Sequence, residues 1–160
     1  MKPLLLIGYG NPGRGDDGLG PALVARLESL GLTGLETMSD YQLTVDMAHD
    51  VASFEAVVFA DAAMSGPDPF SFSPVAPGAP LSFTSHSQRP EGVLYLAETL
   101  FGGRAQGHLL GIRGYHFGEF SEALSPEATR NLDATVDFVI HRVLPNPDGV
   151  LSQGCRDNKQ

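Results

Sequence analysis

The length, composition and charge of the chain are those of a globular protein with one domain of ordinary size. Its 160 residues are 42% hydrophobic and 18% charged, and 19 acidic residues against 10 basic ones give a formal net charge of -9. A chain this acidic repels nucleic-acid backbones and anionic lipid, so neither is an expected partner, and with no long apolar stretch the expected location is the cytoplasm.

Apolar runs of strand length alternate with segments of helical period, which is typical of an α/β fold with a mostly parallel sheet. The first run, LLLI, is continuous, as expected of a strand whose two faces are both covered by helices. Pro21 suits the first turn of a helix and Gly31 suits its end. The first half of the chain is therefore predicted to contain strands at residues 4–9, 35–38 and 56–60, and helices at 21–30 and 43–51.

The second half begins with a segment rich in Pro and Gly, residues 65–80, which predicts an unusually long loop. Strands are predicted at 81–84 and 109–112, with a helix at 93–101 between them. Ser125 as N-cap starts a long helix that Pro145 ends. Together these elements predict a three-layer α/β protein with a mostly parallel twisted sheet of about five strands and helices on both faces. It forms one domain at 1–145, followed by a polar tail at 146–160.

A Gly-rich turn, GYGNPGRGDDGLG at residues 8–20, follows the first strand, where open α/β sheets bind their ligands. A phosphate-binding loop presents N–H groups and a cation to the anion, whereas this turn carries Asp16 and Asp17, whose carboxylates repel a pyrophosphate. A cation is the better fit. The alternative is that one of the two aspartates caps the first helix, a position that Asp favours.

Two further polar side chains follow predicted strands, Asp61 at the end of AVVFAD and His86 just after LSFT. If these strands are parallel neighbours of the first, Asp17, Asp61 and His86 converge at one edge of the sheet. Two carboxylates and an imidazole suit a divalent transition metal that keeps open positions for water or substrate. Taken singly, Asp61 is also consistent with a loop cap and His86 with a hydrogen-bonded surface histidine. His116, in a predicted loop, is a weaker candidate.

Covalent catalysis has little support in the sequence. No G-x-S-x-G turn occurs, and Cys155, the single cysteine, lies in the polar tail without the electropositive surroundings that activate a thiol. Metal-assisted hydrolysis is the chemistry that these side chains best allow.

The motifs resemble those of the nickel-iron hydrogenase maturation endopeptidases. The resemblance rests on GYGNPGRGDDGLGP at 8–21, VVFADAA at 57–63, Ser85-His86, QLTVDMA at 42–48 and GEFSEALSP at 118–126. It implies a protease that removes the C-terminal extension of a hydrogenase large-subunit precursor after nickel insertion. It assigns Asp17, Asp61 and His86 as the catalytic and metal-binding residues. It also implies that nickel arrives on the precursor, with another divalent metal as an alternative, and it leaves Asp16 and His116 as candidates for a helper base.

Two other functions remain open from the sequence alone. GYGNPG also resembles the opening motif of peptidyl-tRNA hydrolases, but RGDDG at residues 14–18 stands where that family has its histidine-bearing segment, and the net charge of -9 argues against tRNA. A carrier or chaperone that binds nickel or the large subunit without cutting it is the second alternative, which only cleavage of a precursor distinguishes. The expected state is a monomer.

Overall fold

The fold is built on a five-stranded sheet. The computed structural model describes residues 1–80, 87–118 and 120–147, so the predicted strand at 81–84 lies outside the described residues. The strands are β1 (Lys2–Tyr9), β2 (Leu35–Asp40), β3 (Phe54–Ala63), β4 (Phe70–Val75) and β5 (Gln106–Arg113). Their order is β2-β1-β3-β5-β4, with β4 antiparallel to β5 and the other pairs parallel. The predicted α/β fold with a mostly parallel sheet is confirmed.

Helices cover both faces of this sheet. They are α1 (Leu19–Ser29), α2 (Met47–Val51), α3 (Pro90–Phe101) and α4 (Pro126–Phe138), with a 3-10 turn at Gly15–Gly18 and a π-helical turn at Val139–Val143. Alternate residues of β1 point to opposite faces, so Leu4 and Leu6 pack with α1 and α4, whereas Leu5 and Ile7 pack with α2 and α3. In the described ranges no helix is long and apolar enough to cross a membrane.

The helix ends follow the signals in the sequence. Ser125 caps α4 by accepting a hydrogen bond from the Ala128 N–H at 3.2 Å. Gly102 ends α3 with a φ of 67°, and Gly31 follows α1 with a φ of 59°, a conformation that glycine adopts without strain. The helix α2 is shorter than predicted, because Leu43 precedes it in an irregular segment.

The predicted long loop at 65–80 is wrong over its middle. Residues Phe70–Val75 form β4, an edge strand paired with β5. The physical reason is the FSFS alternation, in which the rings of Phe70 and Phe72 pack on Phe138 at centroid distances of 4.6 and 5.1 Å and the serines stay exposed. The turn signals in this segment therefore bracket a strand.

The carboxyl ends of β1 and β3 lie side by side, with Gly8 opposite Ala60. The start of α1 packs directly against them. A Cβ atom on Gly20 would lie 2.5 Å from the Tyr9 carbonyl oxygen and 2.6 Å from the Ala60 carbonyl oxygen. Because glycine permits this close approach, the Gly-rich turn is held against both strand ends.

Candidate active site

Asp17 and Asp61 are brought together at the carboxyl edge of the sheet. Asp61 lies in β3, and Asp17 lies in the 3-10 turn that follows β1. Burial, with a contribution from the neighbouring Asp17 carboxylate, raises the pKa of Asp61 to about 6, although hydrogen bonds from Ala62 and Tyr9 act in the opposite direction. The raised pKa shows that the negative charge of Asp61 is poorly compensated.

Few hydrogen-bond donors among the described residues serve this pair. The Asn11 N–H donates to Oδ2 of Asp17 at 2.8 Å, and the Ala62 N–H donates to Oδ1 of Asp61 at 2.8 Å. The Tyr9 hydroxyl acts to lower the pKa of Asp61, and it stays protonated because burial and the charge of Asp61 raise the pKa of Tyr9. Since each carboxylate offers about four lone pairs, acceptors remain for a cation.

Asp16, the other aspartate of the turn, has a structural role. Its side chain is 0% exposed and accepts bonds of 2.8–2.9 Å from the N–H groups of Tyr115 and His116 and from the N–H and hydroxyl of Ser125. Burial opposes ionisation, but these bonds outweigh it and lower the pKa of Asp16. Asp16 is therefore not a free helper base, and neither it nor Asp17 caps a helix through its side chain.

Backbone hydrogen bonds anchor the Gly-rich turn to the segment before α4. The Gly15 N–H donates to the Ser121 carbonyl at 2.6 Å, and the Ser121 N–H donates to the Gly13 carbonyl at 3.1 Å. Gly10 has a φ of 142°, and a Cβ atom there would lie 2.0 Å from the Asp17 carbonyl oxygen. The glycine at position 10 thus lets the chain fold back so that Asp17 stays beside the strand ends.

His86, the third predicted ligand, lies outside the described residues. Two residues further on, the Gln88 N–H donates to the Leu43 carbonyl at 2.9 Å, and Glu91 in the first turn of α3 contributes to the raised pKa of Tyr9. Within residues 1–80, 87–118 and 120–147, no group of three or more His, Cys, Asp and Glu side chains could hold a metal ion. The three-residue site stays a prediction.

The four histidines in the described ranges lie elsewhere. His108 is buried in β5, where its ring stacks on Phe72 at a centroid distance of 4.7 Å and burial lowers its pKa to about 4. His116 has an exposed side chain, and only its backbone N–H contacts the turn, by donating to Oδ2 of Asp16. His49 and His141 are exposed in helical segments.

Comparison with known proteins shows which solved structures have a similar fold. No protein-family model and no curated protein matches the sequence. The solved NiFe hydrogenase maturation protease HycI from Thermococcus kodakarensis is 20% identical with a TM-score of 0.66, over 94% of this chain and 93% of that one. The hydrogenase maturating endopeptidase HybD from E. coli is 18% identical with a TM-score of 0.63, over 88% of this chain and 91% of that one.

A third solved structure is also similar in sequence. The hydrogenase 2 maturation peptidase from a Thaumarchaeota archaeon is 27% identical with a TM-score of 0.63, over 89% of this chain and 98% of that one. The chain thus shares its fold, over most of its length, with solved hydrogenase maturation endopeptidases. The family resemblance drawn from the sequence motifs is thereby confirmed.

One residue of the candidate site was not predicted from the sequence. Tyr9 was not singled out, yet its hydroxyl lowers the pKa of Asp61. The signal was present in the strand period, because Leu5, Ile7 and Tyr9 share one face of β1. Recognising it required the pairing of β1 with β3, which a single sequence does not give.

Proposed function

We propose that this chain removes the C-terminal extension of a nickel-iron hydrogenase large-subunit precursor after nickel insertion. In this proposal Asp17, Asp61 and His86 contact the nickel that the precursor carries and so place the scissile amide. The observation that carries the proposal is the pair Asp17 and Asp61, two neighbouring carboxylates with few donors and a raised pKa at Asp61. A nearby cation would stabilise the ionised form of both groups.

The chemistry of the pair favours a divalent metal over a proton. A proton on Asp61 relieves the repulsion between the two carboxylates only below about pH 6, whereas a divalent ion supplies two positive charges and displaces that proton. Carboxylate oxygens together with the imidazole of His86 form a mixed set that suits a first-row transition metal. Nickel bound to the precursor, or water on it, would polarise the scissile carbonyl, and the role of this chain is to orient it.

Exposed apolar side chains follow the strands of the parallel part of the sheet and support a folded protein as the substrate. This apolar rim consists of Tyr41 after β2, Met64 after β3, and Tyr115 and Phe120 after β5, with exposures of 69, 72, 36 and 96%. Arg113 organises part of it, because its guanidinium donates to the Met64 carbonyl at 2.6 Å and lies 4.9 Å from the centroid of the Tyr115 ring. Aromatic residues, Met and Arg are enriched where proteins bind one another.

Cleavage of the precursor tests the proposal. The purified chain should release the C-terminal peptide from a nickel-loaded large-subunit precursor, as measured by mass spectrometry. Asp61→Asn and His86→Ala should abolish release while both chains stay folded, as judged by circular dichroism. Asp133→Asn is the matched control, since Asp133 is an exposed carboxylate paired with Arg26 at 2.9 Å between α4 and α1. A wild-type chain that binds the loaded precursor without cutting it would instead be a chaperone.

A further inference from the structure

The strand β2 lies at one edge of the sheet, and among the described residues no strand pairs with its outer side. The Asp40 carbonyl accepts a hydrogen bond from the Gly10 N–H at 3.1 Å, so the backbone groups of Asp40 point toward β1. Alternate residues of a strand direct their N–H and C=O groups to opposite sides, and those of Thr37 and Ser39 therefore point outward. An edge of this kind is a template for another extended chain.

The other edge strand, β4, is less suited to pairing. The Arg113 N–H donates to the Pro69 carbonyl at 3.2 Å, so the odd-numbered residues of β4 face β5 and Pro74 lies on the outer side. Proline has no N–H to donate, and natural proteins use it to block the pairing of edge strands. β2 contains no proline, so its edge is the one open to an added strand.

The carboxyl end of β2 lies beside the turn that holds Asp17. The bond from Gly10 to Asp40 joins strand and turn, and the next residue, Asn11, donates to Oδ2 of Asp17 at 2.8 Å. A cavity of about 330 Å³ opens at this junction, lined by Pro12, Pro21, Ser39, Asp40 and Tyr41. A chain that leaves the candidate site along β2 therefore passes a cavity that can receive one of its side chains.

The side chains beside the edge are mostly acidic. Glu28 on α1 accepts a hydrogen bond from the Thr37 hydroxyl at 2.9 Å, and Glu36 is exposed and pairs with Lys2 at 3.2 Å. Asp40 is exposed at the carboxyl end of the strand. Carboxylates thus outnumber the lysine along this edge, which favours an extended segment with basic side chains.

We propose that the outer edge of β2 binds the C-terminal extension of the precursor as an added antiparallel strand, an inference that rests on the function proposed above. The extension leaves the precursor on cleavage, so it is not part of the mature fold and its backbone groups are free to pair. Main-chain hydrogen bonds supply affinity in this mode of recognition, and the side chains beside the edge supply specificity.

The direction of the added strand follows from the position of the candidate site. The extension begins at the scissile amide, beside Asp17 and Asp61 at the carboxyl edge of the sheet, so it enters at Asp40 and runs toward Leu35. Neighbouring strands lie about 4.8 Å apart and an extended chain rises about 3.3 Å per residue. About two or three residues after the scissile amide therefore bring the extension to β2.

Ser39→Pro removes one outward N–H and leaves the bonds between β2 and β1 intact, because the backbone of Ser39 points away from β1. The KM for nickel-loaded precursor should rise about 10-fold, since a main-chain bond is lost and the proline ring hinders pairing. The value of kcat should stay nearly unchanged, because the carboxylate pair is untouched. An unchanged KM in a folded Ser39→Pro chain would overturn the added strand.

Amide hydrogen exchange tests the same edge in the wild-type chain. A synthetic peptide with the sequence of the precursor's extension, at saturating concentration, should slow exchange at Thr37 and Ser39 by about 10-fold or more. The N–H groups of Glu36 and Met38 already face β1 and should not change. Two peptides of equal composition, N-methylated at alternate residues in opposite frames, are the matched controls, and one frame alone should protect the edge. Protection by both frames, or by neither, would overturn the added strand.

The added strand and the proposed function fail in different ways. A chain that cuts nickel-loaded precursor but shows no protection at Thr37 and Ser39 keeps the protease function and loses the added strand. A chain whose β2 edge is protected by the peptide but which does not cut the loaded precursor keeps the binding edge and contradicts the protease function.

Discussion

Two adjacent carboxylates on one turn, Asp16 and Asp17, have opposite surroundings. Asp16 is fully buried, accepts four hydrogen bonds and has a lowered pKa. Asp17 accepts one described bond, from Asn11, and faces Asp61, whose pKa is raised to about 6. The carboxylate with a full set of donors stabilises the fold, whereas the pair with few donors keeps acceptors for a ligand. The number of hydrogen-bond donors around each carboxylate, more than the residue type, therefore distinguishes the structural aspartate of this turn from the candidate ligand.

The same substitution at both positions should have different effects on stability and on cleavage. Asp16→Asn places an amide N–H against donor groups and removes a charge from four hydrogen bonds, so it should lower the free energy of unfolding by on the order of 3 kcal/mol. Asp17→Asn should change it by less than about 0.5 kcal/mol and abolish cleavage. Denaturant unfolding and a cleavage assay measure the two effects.

The loss of folding stability at low pH tests the role of Asp16. Its pKa is lowered in the folded chain, so its contribution is present above its ordinary value of 3.8 and lost as the pH falls through the folded value. The wild type should therefore lose more stability on acidification than Asp16→Asn does. Equal acid sensitivity, or equal stability of the Asp16 and Asp17 variants at pH 7, would contradict the division between them.

Phe120 should carry much of the binding of a protein substrate. It is 96% exposed and holds a φ of 60°, a strained conformation for a residue other than glycine. Phe120→Ser should raise the KM for the precursor about 10-fold and leave kcat nearly unchanged, as for an apolar contact of about 1.4 kcal/mol. Leu100→Ser, at the exposed far end of α3, is the control and should keep the wild-type KM. An unchanged KM in Phe120→Ser would exclude this part of the apolar rim from substrate binding.

The raised pKa of Asp61 predicts a smaller effect on stability. Because the folded pKa is about 6 against an ordinary 3.8, the folded state favours the protonated acid. The stabilisation is fully present below the ordinary value and is lost as the pH rises through about 6. Between pH 5 and pH 8 the wild type should therefore lose about 1 kcal/mol of stability relative to Asp61→Asn. Parallel pH profiles for the two chains would show that folding does not raise the pKa of Asp61.

The polar tail should contribute least to the stability and the activity of the chain. Residues 146–160 are polar and follow Pro145. A chain truncated after Leu144 should keep its melting temperature and its cleavage rate, and Cys155→Ser should behave like the wild type. Loss of cleavage in Cys155→Ser would bring back a thiol mechanism.

Local signals explain how much of the fold could be predicted. Apolar runs identified β1, β3 and β5, and a short mixed segment at 35–38 identified β2. Ser125 and Gly102 marked helix ends, because each signal acts within a few residues. The edge strand β4 was missed because its FSFS alternation is short and lies among turn-forming residues.

The candidate site was less predictable because its contacts join distant parts of the chain. Asp16 bonds residues 99 to 109 positions away, which no local pattern shows, so its structural role could not be separated from that of Asp17. The effect of Tyr9 on the pKa of Asp61 depends on the pairing of β1 with β3. The approach of Asp17 and Asp61 followed instead from a general property of parallel strands, whose carboxyl ends share one edge.

The origin of the metal distinguishes a substrate-borne nickel from a resident zinc. Two carboxylates and one imidazole lack the thiolates or additional histidines of a tight structural zinc site, so we propose that the metal arrives on the substrate. Purified wild-type chain should release the C-terminal peptide from nickel-loaded precursor and leave nickel-free precursor intact, even after zinc is added to the protease. Cleavage of nickel-free precursor at the same rate as the loaded form would contradict the account and would favour a resident catalytic zinc.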